Sequence, residues 1–165
     1  MHLLEVAALA VWLYALGTTI LNLILERPLR PSDRTSGPFV SVVIPARNEE
    51  RSIGATVAAM LAQTYRDLEI IVIDDQSTDR TPQILAAFDD PRLTVVQGQE
   101  TPSGWLGKPW ALEQGSRRAR GELLLFVDAD IHYEPKAVAS MVDALEEGGV
   151  SMVAVLPHIE MRTLG

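Results

Sequence analysis

Apolar positions run along this chain in three arrangements, and each predicts a different element. One run is unbroken: "VAALAVWLYALGTTILNLIL", Val6 to Leu25, holds no charged side chain in 20 residues. At about 1.5 Å per residue, such a helix covers the roughly 30 Å of a bilayer's hydrocarbon. Five other runs are short and rich in Val, Ile and Leu: "FVSVVIPA", "LEIIVIDD", "RLTVVQG", "ELLLFVDAD" and "SMVAVLP". Lacking polar alternation, they read as strands buried on both faces. Between them the period changes. "RSIGATVAAMLAQTY" spaces Ile53, Val57, Met60 and Leu61 as a helix does, and "STDRTPQILAAF" offers Thr81 as a cap with Pro82 at the first helical position. "WALEQGSRRA" reads as a helix in spite of Gly115, and "EPKAVASMVDALEEGG" carries Pro near its start and Gly at its end.

Strand and helix in alternation predict the α/β class, a mostly parallel sheet with helices on both faces. The expected organisation is a transmembrane helix over 1–25, a linker over 26–38 ("RPLRPSDRTSGP" within it), and one domain over 39–165. A secretory signal peptide would want a basic start and a small-x-small cleavage site, whereas this chain begins "MHLLE" and the run ends "LNLILERP". A buried soluble helix is the third reading of the run. Arg27, Arg30 and Arg34 follow it, against His2 and Glu5 before it, so the positive-inside rule places the domain in the cytosol, at the cell membrane.

Charge and composition narrow the chemistry. The chain has 22 acidic and 14 basic residues, a net charge of −8, which argues against nucleic acid held through its phosphates. With no cysteine, disulfides and thiolate metal sites are excluded, leaving hard oxygen ligands and three histidines for any metal. Polar residues collect after strands: "PARNEE", "DDQSTD" and "DADIH". In open parallel sheets ligands bind beyond the carboxyl ends of the strands, so these clusters would converge on one crevice. Asp128 and Asp130 sit two apart on an extended segment and would face the same way, repelling unless a cation or a set of donors lies between them. The plainer alternative is that one caps the next helix and both are solvated.

"SVVIPARNE", "IIVIDDQSTDRT" and "GELLLFVDAD", in this order, resemble the nucleotide-binding half of the family 2 glycosyltransferases, which have the GT-A fold. The likeness covers about residues 39 to 157, and "GWLGKPWA" further resembles the lipid-glycosylating branch, with its hopanoid-associated, carotenoid and ceramide members. The resemblance implies an inverting, metal-dependent transfer from a UDP- or GDP-linked sugar to a lipid. It places Pro45, Arg47 and Glu49 along the base and ribose, although many members carry an aromatic where Arg47 stands. It assigns Asp75 to the base, the pair Asp128 and Asp130 to the ribose side and to Mg2+ or Mn2+ on the diphosphate, with Asp130 the leading metal ligand and Asp128 both a donor-binding and a metal candidate, and Lys108 to the diphosphate. Asp74 would order the turn. His132 could complete the metal shell or be a surface imidazole, and Lys108 could equally be a solvated loop lysine.

Trp105 and Trp110 could line a sugar or acceptor pocket or pack in the core, and "RRAR" at 117–120 could meet anionic lipid or form a solvated helix end. The family's catalytic base and acceptor helices lie downstream of the fifth strand, so the expectation is that the base falls beyond Gly165 and the chain is the donor part of a longer enzyme. Three other readings compete. A nucleotide-sugar-binding fragment would bind donor without transfer. A nucleotidyltransferase would show a glycine-rich basic loop, yet "PARNEERS" has no glycine before Gly54. A phosphoacceptor receiver would place its acidic pair after the first strand rather than in "VIDD".

Overall fold

The computed structural model describes residues 2–25 and 28–155, and the chain divides into two units at Arg30/Pro31. The first unit is one helix, α1, His2–Leu25. Its stretch Leu4–Ile24 is long and apolar enough to cross a membrane, and Leu9, Trp12, Tyr14 and Leu16 are all exposed. Its two threonines turn inward on the backbone. Thr18 and Thr19 donate to the Ala15 carbonyl at 2.9 and 2.8 Å, which satisfies both hydroxyls without water.

In the second unit the order is β1 (Val40–Ala46), α2 (Ile53–Leu61), β2 (Leu68–Asp74), α3 (Thr81–Leu85), β3 (Leu93–Gln97), α4 (Gly107–Ser116), β4 (Leu123–Phe126) and α5 (Ala137–Gly148). The strands pair in parallel, in the order β3-β2-β1-β4. Crossovers between parallel strands are right-handed, so a chain stepping one way through β1, β2 and β3 keeps α2 and α3 on one face. Stepping back to β4 puts α4 on the other. The packing follows this rule. Val40, Val42, Ile44, Ile70 and Val72 meet Ile53, Val57, Met60, Leu85, Val138 and Val142 on one side, while Ile71 and Ile73 meet Ala111 of α4 on the other. The reversal of direction falls between β1 and β4, where such sheets leave a crevice.

Gly115 explains how α4 lies so close. A Cβ there would stand 2.3 Å from Val43 Cγ1 and 3.4 Å from Ile73 Cγ1, so a glycine in the last turn of the helix sets the helix-to-sheet distance. At the amino ends of the strands, buried Glu69 accepts bonds from the Ser41 hydroxyl at 2.7 Å and from Arg120 Nη2 at 2.6 Å. Burial pushes this carboxyl up, but the bonds from Arg120 and Ser41 outweigh it and hold Glu69 below its ordinary value.

Several expectations need correction. "SMVAVLP" is not a strand over its described part: Ser151–Val155 pairs with nothing in the sheet and Met152 is 81% exposed, while 156 and 157 lie outside the described residues. β4 ends at Phe126 rather than running to Asp130: its last partner is Val43, β1 itself continues to Ala46, and the chain after Phe126 leaves the ladder for a turn at 129–130. α4 begins at Gly107, ahead of "WALEQ", and ends at Ser116. Thr81 does not cap α3; it is the helix's first residue, and its hydroxyl accepts the Glu49 N–H at 2.8 Å. That N–H comes from a neighbouring loop, a long-range donor that local spacing does not reveal. The described part of the expected linker, 28–38, has no regular secondary structure but is tied down beyond Pro31. Ser32 N–H donates to Ser140 Oγ at 3.1 Å, and Arg34 bonds Asp143 Oδ1 at 3.1 Å and Glu146 on α5.

Candidate nucleotide-sugar site

The carboxyl ends of β1, β2 and β4 open into a cavity of about 310 Å3, lined by Pro45, Ala46, Arg47, Glu49, Asp75, Gly107, Lys108, Ala111, Asp128, Ala129 and Asp130. Every donor-binding residue expected from the sequence therefore reaches one cavity. The loops that follow β1 and β2 are bonded to each other. Asn48 N–H donates to Ser77 Oγ at 3.0 Å, Thr78 N–H to Asn48 Oδ1 at 2.8 Å, and Glu50 N–H to Asp79 Oδ2 at 3.0 Å. Asn48 and Gln76 take positive φ at the two bends, 56° and 58°. Asp74 orders its turn as expected, its Oδ1 accepting Ser77 N–H at 3.1 Å.

Asp75 is 4% exposed, and its Oδ1 is buried without a hydrogen-bond partner. Its Oδ2 lies 3.5 Å from Arg47 Nη1. A buried carboxylate oxygen left without a donor costs desolvation energy, which a ligand N–H can recover. Gly107, at the first position of α4, lets the start of that helix lie against Asp75: a Cβ there would fall 3.0 Å from Asp75 Oδ2. Glu49 turns its Oε2 to the Ser52 hydroxyl at 2.8 Å.

Opposite Asp75, Lys108 Nζ meets Asp128 Oδ1 at 2.6 Å. Asp128 and Asp130 lie past β4, so strand alternation does not orient them; the turn that follows β4 brings both to the cavity. Their oxygens are the hard donors that Mg2+ and Mn2+ prefer. Among the described residues no three carboxylate or imidazole side chains form a ready metal shell. An open carboxylate pair fits a cation whose remaining ligands are water and phosphate oxygens. His132 does not share this cavity with Asp128. It lines a smaller one of about 110 Å3 with Ser52, Thr56 and Asp130.

Residues 41–162 match the family described as Glycosyl transferase family 2. The chain belongs to this family. Among the relatives of this family 2 glycosyltransferase chain is the 4,4'-diaponeurosporenoate glycosyltransferase of Staphylococcus aureus, 32% identical over 126 residues, 74% of this chain and 33% of that protein. TarS 1–349 of S. aureus, solved with UDP-GlcNAc, is similar at 32% identity and a TM-score of 0.56, over 66% of this chain and 31% of that one. The mannosyltransferase PcManGT of Pyrobaculum calidifontis, solved with GDP-Man and Mn2+, matches at 28% identity and a TM-score of 0.63, over 86% of this chain and 44% of that one. The chain thus spans about a third of the curated relatives it matches, and its sheet is the GT-A sheet that the resemblance implied.

The cavity also contains residues the sequence reading passed over. Gly107 and Ala111 line the cavity because α4 starts three residues before Trp110. A glycine followed by lysine and proline is a helix-start signal that could have found the first of them. Trp110 is buried and packs edge-on against Trp105 at 5.3 Å, outside the cavity, its indole N–H donating to the Gln99 carbonyl at 3.3 Å.

Proposed function

We propose that this chain carries the donor site of a membrane-anchored, metal-dependent, inverting glycosyltransferase that moves a sugar from a UDP- or GDP-linked donor to a lipid acceptor. The observation that carries this reading is the meeting of Asp75, with its unpartnered buried oxygen, and the pair Asp128 and Asp130 in one cavity at the switch point of the sheet. Asp75 accepts an N–H of the base beside Arg47, Pro45 and Glu49 line the base and ribose, and Asp128 and Asp130 are the residues that would hold Mg2+ or Mn2+, which when bound would supply electrostatic stabilisation of a leaving nucleoside diphosphate. PcManGT, bound to GDP-Man and Mn2+, and TarS, bound to UDP-GlcNAc, support both the ligand class and the metal.

The lipid acceptor and the cytosolic, membrane-held location rest on α1, on the arginines that follow it, and on a relative named for 4,4'-diaponeurosporenoate. No residue of the cavity is assigned the role of base. Calorimetric titration of the full chain in detergent with UDP- and GDP-sugars, with Mn2+ or EDTA, tests the reading. Binding of one donor, strengthened by Mn2+, is the expected result; binding of neither would overturn it.

A further inference from the structure

In the cavity, Lys108 holds the position at Asp128 that a metal ion would need. Its Nζ is 2.6 Å from Asp128 Oδ1, and both side chains are about half-exposed, at 59% and 46%. The cavity wall carries two cationic and four anionic side chains. Arg47 is turned to Asp75, and Lys108 is turned to Asp128. The lysine springs from the first turn of α4, a helix seated on the sheet through Ala111 and Gly115, so its backbone is fixed while its flexible stem leaves the ammonium able to swing. An ammonium and a divalent cation cannot both sit at contact distance on one carboxylate oxygen without strong repulsion.

We propose that Lys108 is a resident counter-ion that makes metal binding conditional on the nucleotide. The inference rests on the donor-site reading above. Without nucleotide, a divalent cation must displace the ammonium from Asp128. With nucleotide, the diphosphate oxygens offer Lys108 another anionic partner and Asp128 is released to the cation. Lys108 therefore couples the two ligands, and by linkage each strengthens the other by the same factor.

The coupling makes an unusual demand: neutralising a cation of the site should improve metal binding in the absence of nucleotide. For a half-exposed pair beside a dication the gain is about 3- to 10-fold. The test follows free Mn2+ by electron paramagnetic resonance, titrating the full chain in detergent micelles as wild type, Lys108→Ala and Lys108→Arg, with and without UDP or GDP. Protein-free titrations correct for Mn2+ held by the nucleotide alone, and thermal melts verify that the variants are folded. Lys108→Ala should bind Mn2+ about 3- to 10-fold more tightly without nucleotide, and the strengthening by nucleotide should shrink by the same factor. Lys108→Arg should behave as wild type. Unchanged or weaker nucleotide-free binding in Lys108→Ala, beside a wild type that binds nucleotide with Mn2+, overturns this inference alone. A wild type that binds neither ligand overturns the donor-site reading and the inference with it.

Discussion

Replacing Gly115 by alanine sets two effects of known sign against each other, and the structure decides between them. In an exposed helix the change stabilises by about 1 kcal/mol, since alanine is the better helix former. Here the new methyl would stand 2.3 Å from Val43 Cγ1, on a strand whose Val42, Val43 and Ile44 are all 0% exposed. A valine between two hydrogen-bonded neighbours has no room to retreat, so α4 must lift or the valine must leave its rotamer. Overpacking of this kind costs about 1–3 kcal/mol. With a contact this short the upper half of that range applies, and the net is a destabilisation of about 1–2 kcal/mol. Urea unfolding of the full chain in detergent should show the midpoint falling by about 0.5–1 M for an m-value near 2 kcal/mol/M. Val43→Ala in the same chain should relieve the clash, so that the double variant is more stable than the sum of the single effects implies. A midpoint that rises in Gly115→Ala would show that α4 is not pressed onto the sheet at this point.

Other outcomes follow from the same geometry. Asp75→Ala should weaken binding of the nucleoside, with or without Mn2+, by about 10- to 150-fold, as expected for loss of a charged hydrogen bond; Asp130→Ala should leave nucleoside binding nearly intact while abolishing the gain from Mn2+, and equal effects of both in calorimetry would refute this division. Glu69 has a folded-state pKa below its ordinary value of 4.5, so its contribution to stability is present above that value and lost as pH falls through the lower, folded-state one. The acid limb of the stability curve should accordingly be shallower for Glu69→Gln than for wild type, and superimposable limbs would refute the role of the Arg120 and Ser41 bonds. The full chain should stay in the membrane fraction after alkaline carbonate, and a C-terminal reporter should resist protease in right-side-out vesicles; extraction or digestion would refute the anchoring or the orientation, respectively.

By itself the sequence determined the α/β class, the membrane-length helix and the three motifs that carry the chemistry. It could do so because these are local properties. β1 and β2 are legible because each residue run is buried on both sheet faces, and the carboxylates are legible because they stand where those runs stop. What an apolar run does not encode is its partner. "SMVAVLP" has the composition of a strand, yet its described residues join no ladder, and β4 leaves its ladder after Phe126 although the apolar run goes on to Val127 and β1 to Ala46. Burial preference is a property of a segment, whereas pairing, register and strand length belong to two segments at once. The same reason governs the site. Only the order β3-β2-β1-β4 puts Asp75 and Asp128 on one cavity, and only the seating of α4, set by Gly115, carries Lys108 across 20 positions of sequence to Asp128. Side chains that far apart along the chain are brought to 2.6 Å by packing alone.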